Sequence, residues 1–120
     1  MEIKDFNLVE YKELKIKIGK QLYEITNIPA TIELDLLKNQ VDNLNKLSTF
    51  SFNDKDQIKW KSLIKRLLKN NCEDVNDSDI DTLGPLELSG FMNLIYLQLS
   101  EKSKLITKLY DLEEEVPKKK

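Results

Sequence analysis

The stretch that decides the fold is Pro85–Leu112, PLELSGFMNLIYLQLSEKSKLITKLYDL. As a single helix it spans roughly 42 Å at about 1.5 Å per residue. Leu88, Phe91, Met92, Ile95 and Leu99 recur at the three- and four-residue spacings of one helical face, which predicts a central core helix. Leu86, Leu94, Tyr96 and Leu97 widen that stripe beyond the arc a surface helix needs. The helix is therefore expected either to be covered on two sides within its own domain or to share a side with another chain. Ser100 to Ser103 is the place where it would bend if a separate last helix carries Leu105, Ile106, Leu109 and Leu112.

Upstream, the period changes from helical to alternating. Leu14, Ile16 and Ile18 alternate with Lys15 and Lys17, and Tyr23 and Ile25 resume the alternation beyond Gly19 and Lys20. A Gly-first two-residue turn suits a tight hairpin. It sets Ile18 against Gln21, Ile16 against Tyr23 and Leu14 against Ile25, and places Lys15 opposite Glu24 on the wet face. Pro29 then opens a helix predicted to run to Leu47, with Leu34, Leu37, Val41 and Leu44 facing inward and Asn43 among the solvent-facing residues. Phe50 and Phe52 are expected to dip back into the core. Asn53 is placed to cap the next helix, with Asp54 and Asp56 in its first turn, where carboxylates favour the positive end of the helix dipole. Its apolar side is Ile58, Trp60, Leu63, Ile64, Leu67 and Leu68, and it ends near Asn70 and Asn71. Asp79 to Leu83 suggests one more helical turn before Gly84 and Pro85 reset the chain.

The expectation is an α+β, mostly α-helical chain, with an N-terminal β-hairpin followed by three to four packed helices. Residues 1–112 form one domain without internal repeat or linker, residues 1–10 being a weakly patterned lead-in. Residues 113–120 read as a mobile charged tail. At 120 residues one core is sufficient without covalent staples.

The composition excludes more chemistry than it suggests. No histidine is present, so the commonest general base and nitrogen ligand are missing, and the lone Cys72 rules out an internal disulfide. No catalytic, cofactor-binding or metal-binding residue is assigned. The acidic run Asp74, Asp77, Asp79 and Asp81 does not fit a calcium loop, since starting at Asp74 puts Asp79 at the glycine position and Pro85 at the bidentate glutamate position. Nineteen basic and 21 acidic residues are interleaved, which gives no patch for nucleic acid. The opening MEIKDFNLVEYKELK has charges where an export signal needs an apolar run, and Phe91 to Leu97 is too short to span a bilayer. A cytoplasmic protein that contacts neither membrane nor nucleic acid is expected.

Taken together, LKIKIGKQLYEI, NIPATIELDLLKNQ, DKDQIKWKSLIKRLLKNN and DTLGPLELSGFMNLIYLQL resemble, in order and size across residues 11–112, the small tail assembly chaperones of long-tailed bacteriophages and prophages. The resemblance is one of layout, without a signature motif. It implies a non-enzymatic protein of the host cytoplasm that coats the tape measure protein, keeps its apolar helices soluble and recruits tail tube protein. Many such families also make a longer form by frameshifting near the end of the short one, and a lysine run such as Lys118–Lys120 is the kind of place where a ribosome slips. The residues expected on the partner face, or in the core just beneath it, are Leu37, Val41, Phe91, Ile95 and Leu99, in a possible homo-oligomer. The rival readings are a structural tail component retained in the virion and a small regulator or immunity-type binding protein.

Overall fold

The computed structural model describes residues 11–111. The expected lead-in at 1–10 and the tail at 113–120 lie outside the described residues. The chain is α+β and mostly helical: strands β1 (Leu14–Ile18) and β2 (Gln21–Ile25) precede helices α1 (Ala30–Lys38), α2 (Gln40–Thr49), α3 (Asp54–Asn71), α4 (Asp77–Asp81) and α5 (Pro85–Asp111).

The hairpin has the register the alternation predicts, with Leu14 opposite Ile25, Ile16 opposite Tyr23, Ile18 opposite Gln21 and Lys15 opposite Glu24. Gly19 takes φ +62° while Lys20 stays at negative φ, the pattern of a type II′ turn. A two-stranded hairpin is marginal alone, and this one is tied down on its β2 side. Tyr23 and Ile25 are buried, the Tyr23 hydroxyl accepts from the Asn76 N–H at 3.0 Å, and Asn71 at the end of α3 holds the hairpin's exit. Its Oδ1 accepts from the Thr26 and Asn27 N–H groups at 2.9 and 3.0 Å, and its Nδ2 donates to the Asn27 carbonyl at 2.8 Å.

The helix expected over Pro29–Leu47 is corrected in two respects. It breaks at Asn39, whose φ of −108° and ψ of 14° separate α1 from α2. The buried row is also the opposite one: Ile32, Leu36, Asn43 and Leu47 face inward, whereas Leu34, Leu37 and Val41 are exposed and Leu44 is half-buried. At about 100° per residue, Leu34, Leu37 and Val41 lie roughly 140–200° round from Ile32. The segment is apolar on both sides, and its packing partners chose between them.

Those partners include a buried polar network. Asn43 Nδ2 donates to the Tyr96 hydroxyl at 2.9 Å, Trp60 Nε1 donates to Asn43 Oδ1 at 3.2 Å, and the Tyr96 hydroxyl donates to the Leu36 carbonyl at 2.8 Å. Leu36 lies in the last turn of α1, where intrahelical donors run out. The neighbouring carbonyl of Asp35 accepts from Asn39 Nδ2 at 3.1 Å. The break is thus satisfied by side chains, and a residue expected on the solvent face is instead the hub of the core.

Phe52 packs its ring 5.1 Å from that of Trp60, but Phe50 does not enter the core as expected. It is 60% exposed and ends α2 with φ 52° and ψ 38°. Helix α3 starts with a reciprocal cap in which Asn53 Oδ1 accepts from the Asp56 N–H at 2.9 Å and Asp56 Oδ2 accepts from the Asn53 N–H at 3.0 Å. Trp60, Leu63, Ile64, Leu67 and Leu68 are buried, whereas Ile58, expected on the same side, is exposed. Three basic residues of α3 meet carboxylates: Lys65 meets Asp81 at 2.6 Å, Lys69 meets Asp77 at 3.1 Å and Arg66 meets Asp35 of α1 at 3.0 Å.

Helix α5 is continuous through Ser100–Ser103, about 40 Å long for its 27 residues. Pro85 occupies its first position, and the Gly84 N–H donates to Glu87 Oε1 at 2.7 Å. Leu88, Phe91, Met92, Ile95 and Leu99 are buried as their spacing predicts, joined by Tyr96. No described helix is long and apolar enough to cross a membrane.

Candidate functional site

Exposed apolar side chains are ordinary when scattered, and informative when they line up. Here they do. Leu34, Leu37 and Val41 form an outward row along α1 and the start of α2, with Val41 85% exposed. Burying Ile32 and Leu36 forces that row outward, because one helix cannot turn both sides to the same core.

Beside this row the second half of α5 runs past α1. Leu37, Leu99, Ser103, Ile106 and Thr107 line a groove of about 220 Å³. Beyond Leu99 no described side chain of α5 is fully buried: Ile106 and Leu109 are half-buried and Leu105 is exposed. The apolar stripe therefore continues past the point where the domain's interior ends.

Tyr11, Glu33 and Lys102 close one edge of the groove. The Tyr11 hydroxyl donates to the Glu33 carboxylate, and Lys102 places its ammonium 4.3 Å from the centre of the Tyr11 ring and 3.9 Å from the Glu33 carboxylate. Burial, reinforced by the bond to Glu33 and its charge, pushes the Tyr11 phenol well above its ordinary value. It therefore stays protonated and remains a donor at any physiological pH. The sequence reading gives Tyr11 no role. The contact joins residues 22 positions apart, and no local pattern marks it.

The five residues expected on the partner face or just beneath it are now separated. Leu37 and Val41 are on the surface. Phe91, Ile95 and Leu99 are 5%, 1% and 6% exposed and belong to the core, although Leu99 also forms part of the groove wall. The physical reason lies in the width of the apolar arc on α5. Its inward row fills the interior, so Leu86, Leu94 and Leu97 are left on the outer side.

A second apolar recess of about 480 Å³ lies between the hairpin and the first half of α5, lined by Ile16, Ile18, Leu83, Phe91 and Leu94. Among the described residues no group of three or more Cys, Asp or Glu is arranged to hold a metal ion. The Cys72 thiol, half-buried, lies 3.5 Å from the Glu24 carbonyl. What the arrangement offers is an apolar furrow with one polar edge, suited to another helix.

Comparison with protein-family models, curated proteins and solved structures finds no match.

Proposed function

We propose that this chain is a non-enzymatic binding protein of the tail-assembly-chaperone type, which takes up an apolar helix of its client against α1, the start of α2 and the second half of α5. The observation that supports this reading is the outward row Leu34, Leu37 and Val41, of which Leu37 also lines the groove with Leu99 and Ile106. Fully burying a side chain of this size is worth about 1.5–3 kcal/mol. Three partly exposed ones supply roughly 3–6 kcal/mol before the cost of association, which is itself about 4–15 kcal/mol. A single site of this kind binds weakly and lets go. That suits a holdase, which gains strength from many copies along one long client.

By resemblance the client is the tape measure protein, the protein recruited to it is the tail tube protein, and the setting is the host cytoplasm. The test is co-purification of the full chain with a coiled-coil tape measure segment, comparing the native protein with Leu37→Asp and Val41→Asp. Loss of the complex with an unchanged urea midpoint is the expected outcome. A complex that survives both substitutions refutes the surface, and finding the protein in purified particles by mass spectrometry replaces the chaperone with a structural tail component.

A further inference from the structure

The two edges of the hairpin differ. The β2 edge is closed by the connector after α3: Cys72 Sγ lies 3.5 Å from the Glu24 carbonyl, Gln21 Nε2 donates to the Asp74 carbonyl, and the Asn76 N–H donates to the Tyr23 hydroxyl. Among the described residues β1 pairs only with β2. A two-residue turn makes Ile18 and Gln21 a hydrogen-bonded pair, and alternation gives Ile16 with Tyr23 and Leu14 with Ile25 the same status. The N–H and C=O groups of Lys15 and Lys17 therefore point away from β2. We propose that this edge takes up an extended segment of a partner protein as a third strand, and that the segment it selects alternates apolar with acidic residues.

The space beside the edge suits the apolar half of such a segment. The recess of about 480 Å³ is bordered by Ile16, Lys17 and Ile18 in succession. Consecutive residues of a strand face opposite ways, so a hollow that meets all three runs along the strand's edge. Leu83, Phe91 and Leu94 form its other side. Apolar side chains placed beside Ile16 and Ile18 would enter this recess and cover Leu94, which is 40% exposed.

Gly90 also lines the recess. It lies inside α5, where glycine weakens a helix relative to alanine, yet a Cβ added there would meet nothing within 4 Å. Packing within the described domain therefore has no need of a glycine at this position. Its bare backbone leaves depth for an incoming side chain.

Charge selects the other half. Residues of an added strand directly opposite Lys15 and Lys17 would share their exposed face. Glu24 stands across from Lys15 on the β2 side, whereas Lys17 faces the exposed Leu22. Acidic side chains there complete cross-strand ion pairs, and basic ones are repelled. Glu87, a carboxylate on the recess wall, already accepts from the Gly84 N–H. The same lysines disfavour a second copy, because β1 paired antiparallel with itself about Ile16 sets Lys15 against Lys17 twice. This edge is separate from the groove of α1 and the second half of α5, so either surface can fail without the other.

The test titrates a fluorescein-labelled synthetic heptapeptide, in which valines alternate with glutamates, with the full chain and reads anisotropy. One comparison peptide carries lysine for each glutamate, and another keeps the sequence but is N-methylated at the glutamates, which removes the ladder donors. The glutamate peptide is expected to bind at least about tenfold more tightly than either. Lys17→Glu should weaken it about fivefold and strengthen the lysine peptide by a similar factor, since Leu22 across the hairpin adds no like charge. Gly90→Leu, which fills the recess from an exposed helix position, should abolish binding without lowering the urea midpoint, whereas Gly90→Ala should raise the midpoint and keep binding. Absence of saturable binding at millimolar peptide overturns the proposal. So does equal affinity for the glutamate and N-methylated peptides, which reduces the contact to charge alone, and so does a dimer of the chain that the glutamate peptide disperses, which assigns the edge to a second copy.

Discussion

Replacing Tyr96 with phenylalanine removes one oxygen and keeps the ring, so no cavity term enters. That oxygen accepts from Asn43 Nδ2 at 2.9 Å and donates to the Leu36 carbonyl at 2.8 Å. Asn43 and Tyr96 are each 4% exposed and Leu36 is fully buried, so water cannot take the hydroxyl's place without opening the core. Each of the two orphaned groups costs about 1–3 kcal/mol, and Tyr96→Phe should cost about 2–6 kcal/mol of a total that is commonly about 5–15 kcal/mol. At about 4 °C per kcal/mol for a chain of this size, Tm falls by roughly 8–24 °C.

Trp60 is the single tryptophan and donates to Asn43 Oδ1 at 3.2 Å, so its fluorescence in a urea titration reports on the network itself. The midpoint should fall with the slope unchanged. Burial holds the Tyr96 phenol above its ordinary value, with the Asn43 bond pulling the other way, so the hydroxyl is a neutral donor throughout. Combining Tyr96→Phe with Asn43→Leu makes the test sharper. The Asn43 amide that Tyr96→Phe leaves unpaired is absent in the double variant, which should therefore cost less than the sum by about 0.5–3 kcal/mol. A Tyr96→Phe cost below about 0.5 kcal/mol, in the range of an ordinary surface change, refutes the account, and strict additivity refutes the network.

Three further outcomes are expected. Val41→Asp should leave stability within about 0.5 kcal/mol because Val41 is 85% exposed, whereas Phe91→Ala should cost about 3–5 kcal/mol; equal costs in chemical denaturation would mean the two faces are misassigned. Gly19→Ala should destabilise by about 1–2 kcal/mol or more from its positive φ, with a further contribution because an added Cβ would sit 3.1 Å from an Asp79 carboxylate oxygen; in an Asp79→Ala background only that second part should disappear. The Asp56 carboxyl is held below its ordinary value, first by its bond to Lys46 and then by the Asn53 N–H. The unfolded chain therefore binds this proton more readily than the native one, and the stabilisation is complete above about pH 4 and lost as the pH falls through the native value. Urea midpoints from pH 5 to pH 2.5 should fall more steeply for the native protein than for Asp56→Asn. Parallel curves would remove the linkage.

Much of the fold is legible in the sequence because its causes are local. Alternation on either side of Gly19 and Lys20 sets the hairpin register, since slipping by one residue would turn Tyr23 and Ile25 to solvent. Asn53 and Asp56 mark the start of α3 through bonds spanning three residues. The spacing from Leu88 to Leu99 identifies the buried side of α5. The candidate site was legible only in part, for a reason contained in α1 and α2. Ile32 with Leu36 and Leu34 with Leu37 are equally good apolar rows, and local periodicity has no means of ranking them.

Tertiary structure ranked them through Asn43, whose amide finds Tyr96 53 positions away and Trp60 17 positions away. Once that amide is satisfied inside, Ile32, Leu36 and Leu47 must be inside with it, and Leu37 and Val41 must be out. What the sequence determined by itself was where strands and helices begin and which of them are amphipathic, because those properties depend on neighbours within about four residues. Which apolar row becomes core and which becomes surface was decided only when distant polar groups met, since the desolvation cost of an unpaired buried amide outweighs the small difference between two rows of leucine and isoleucine.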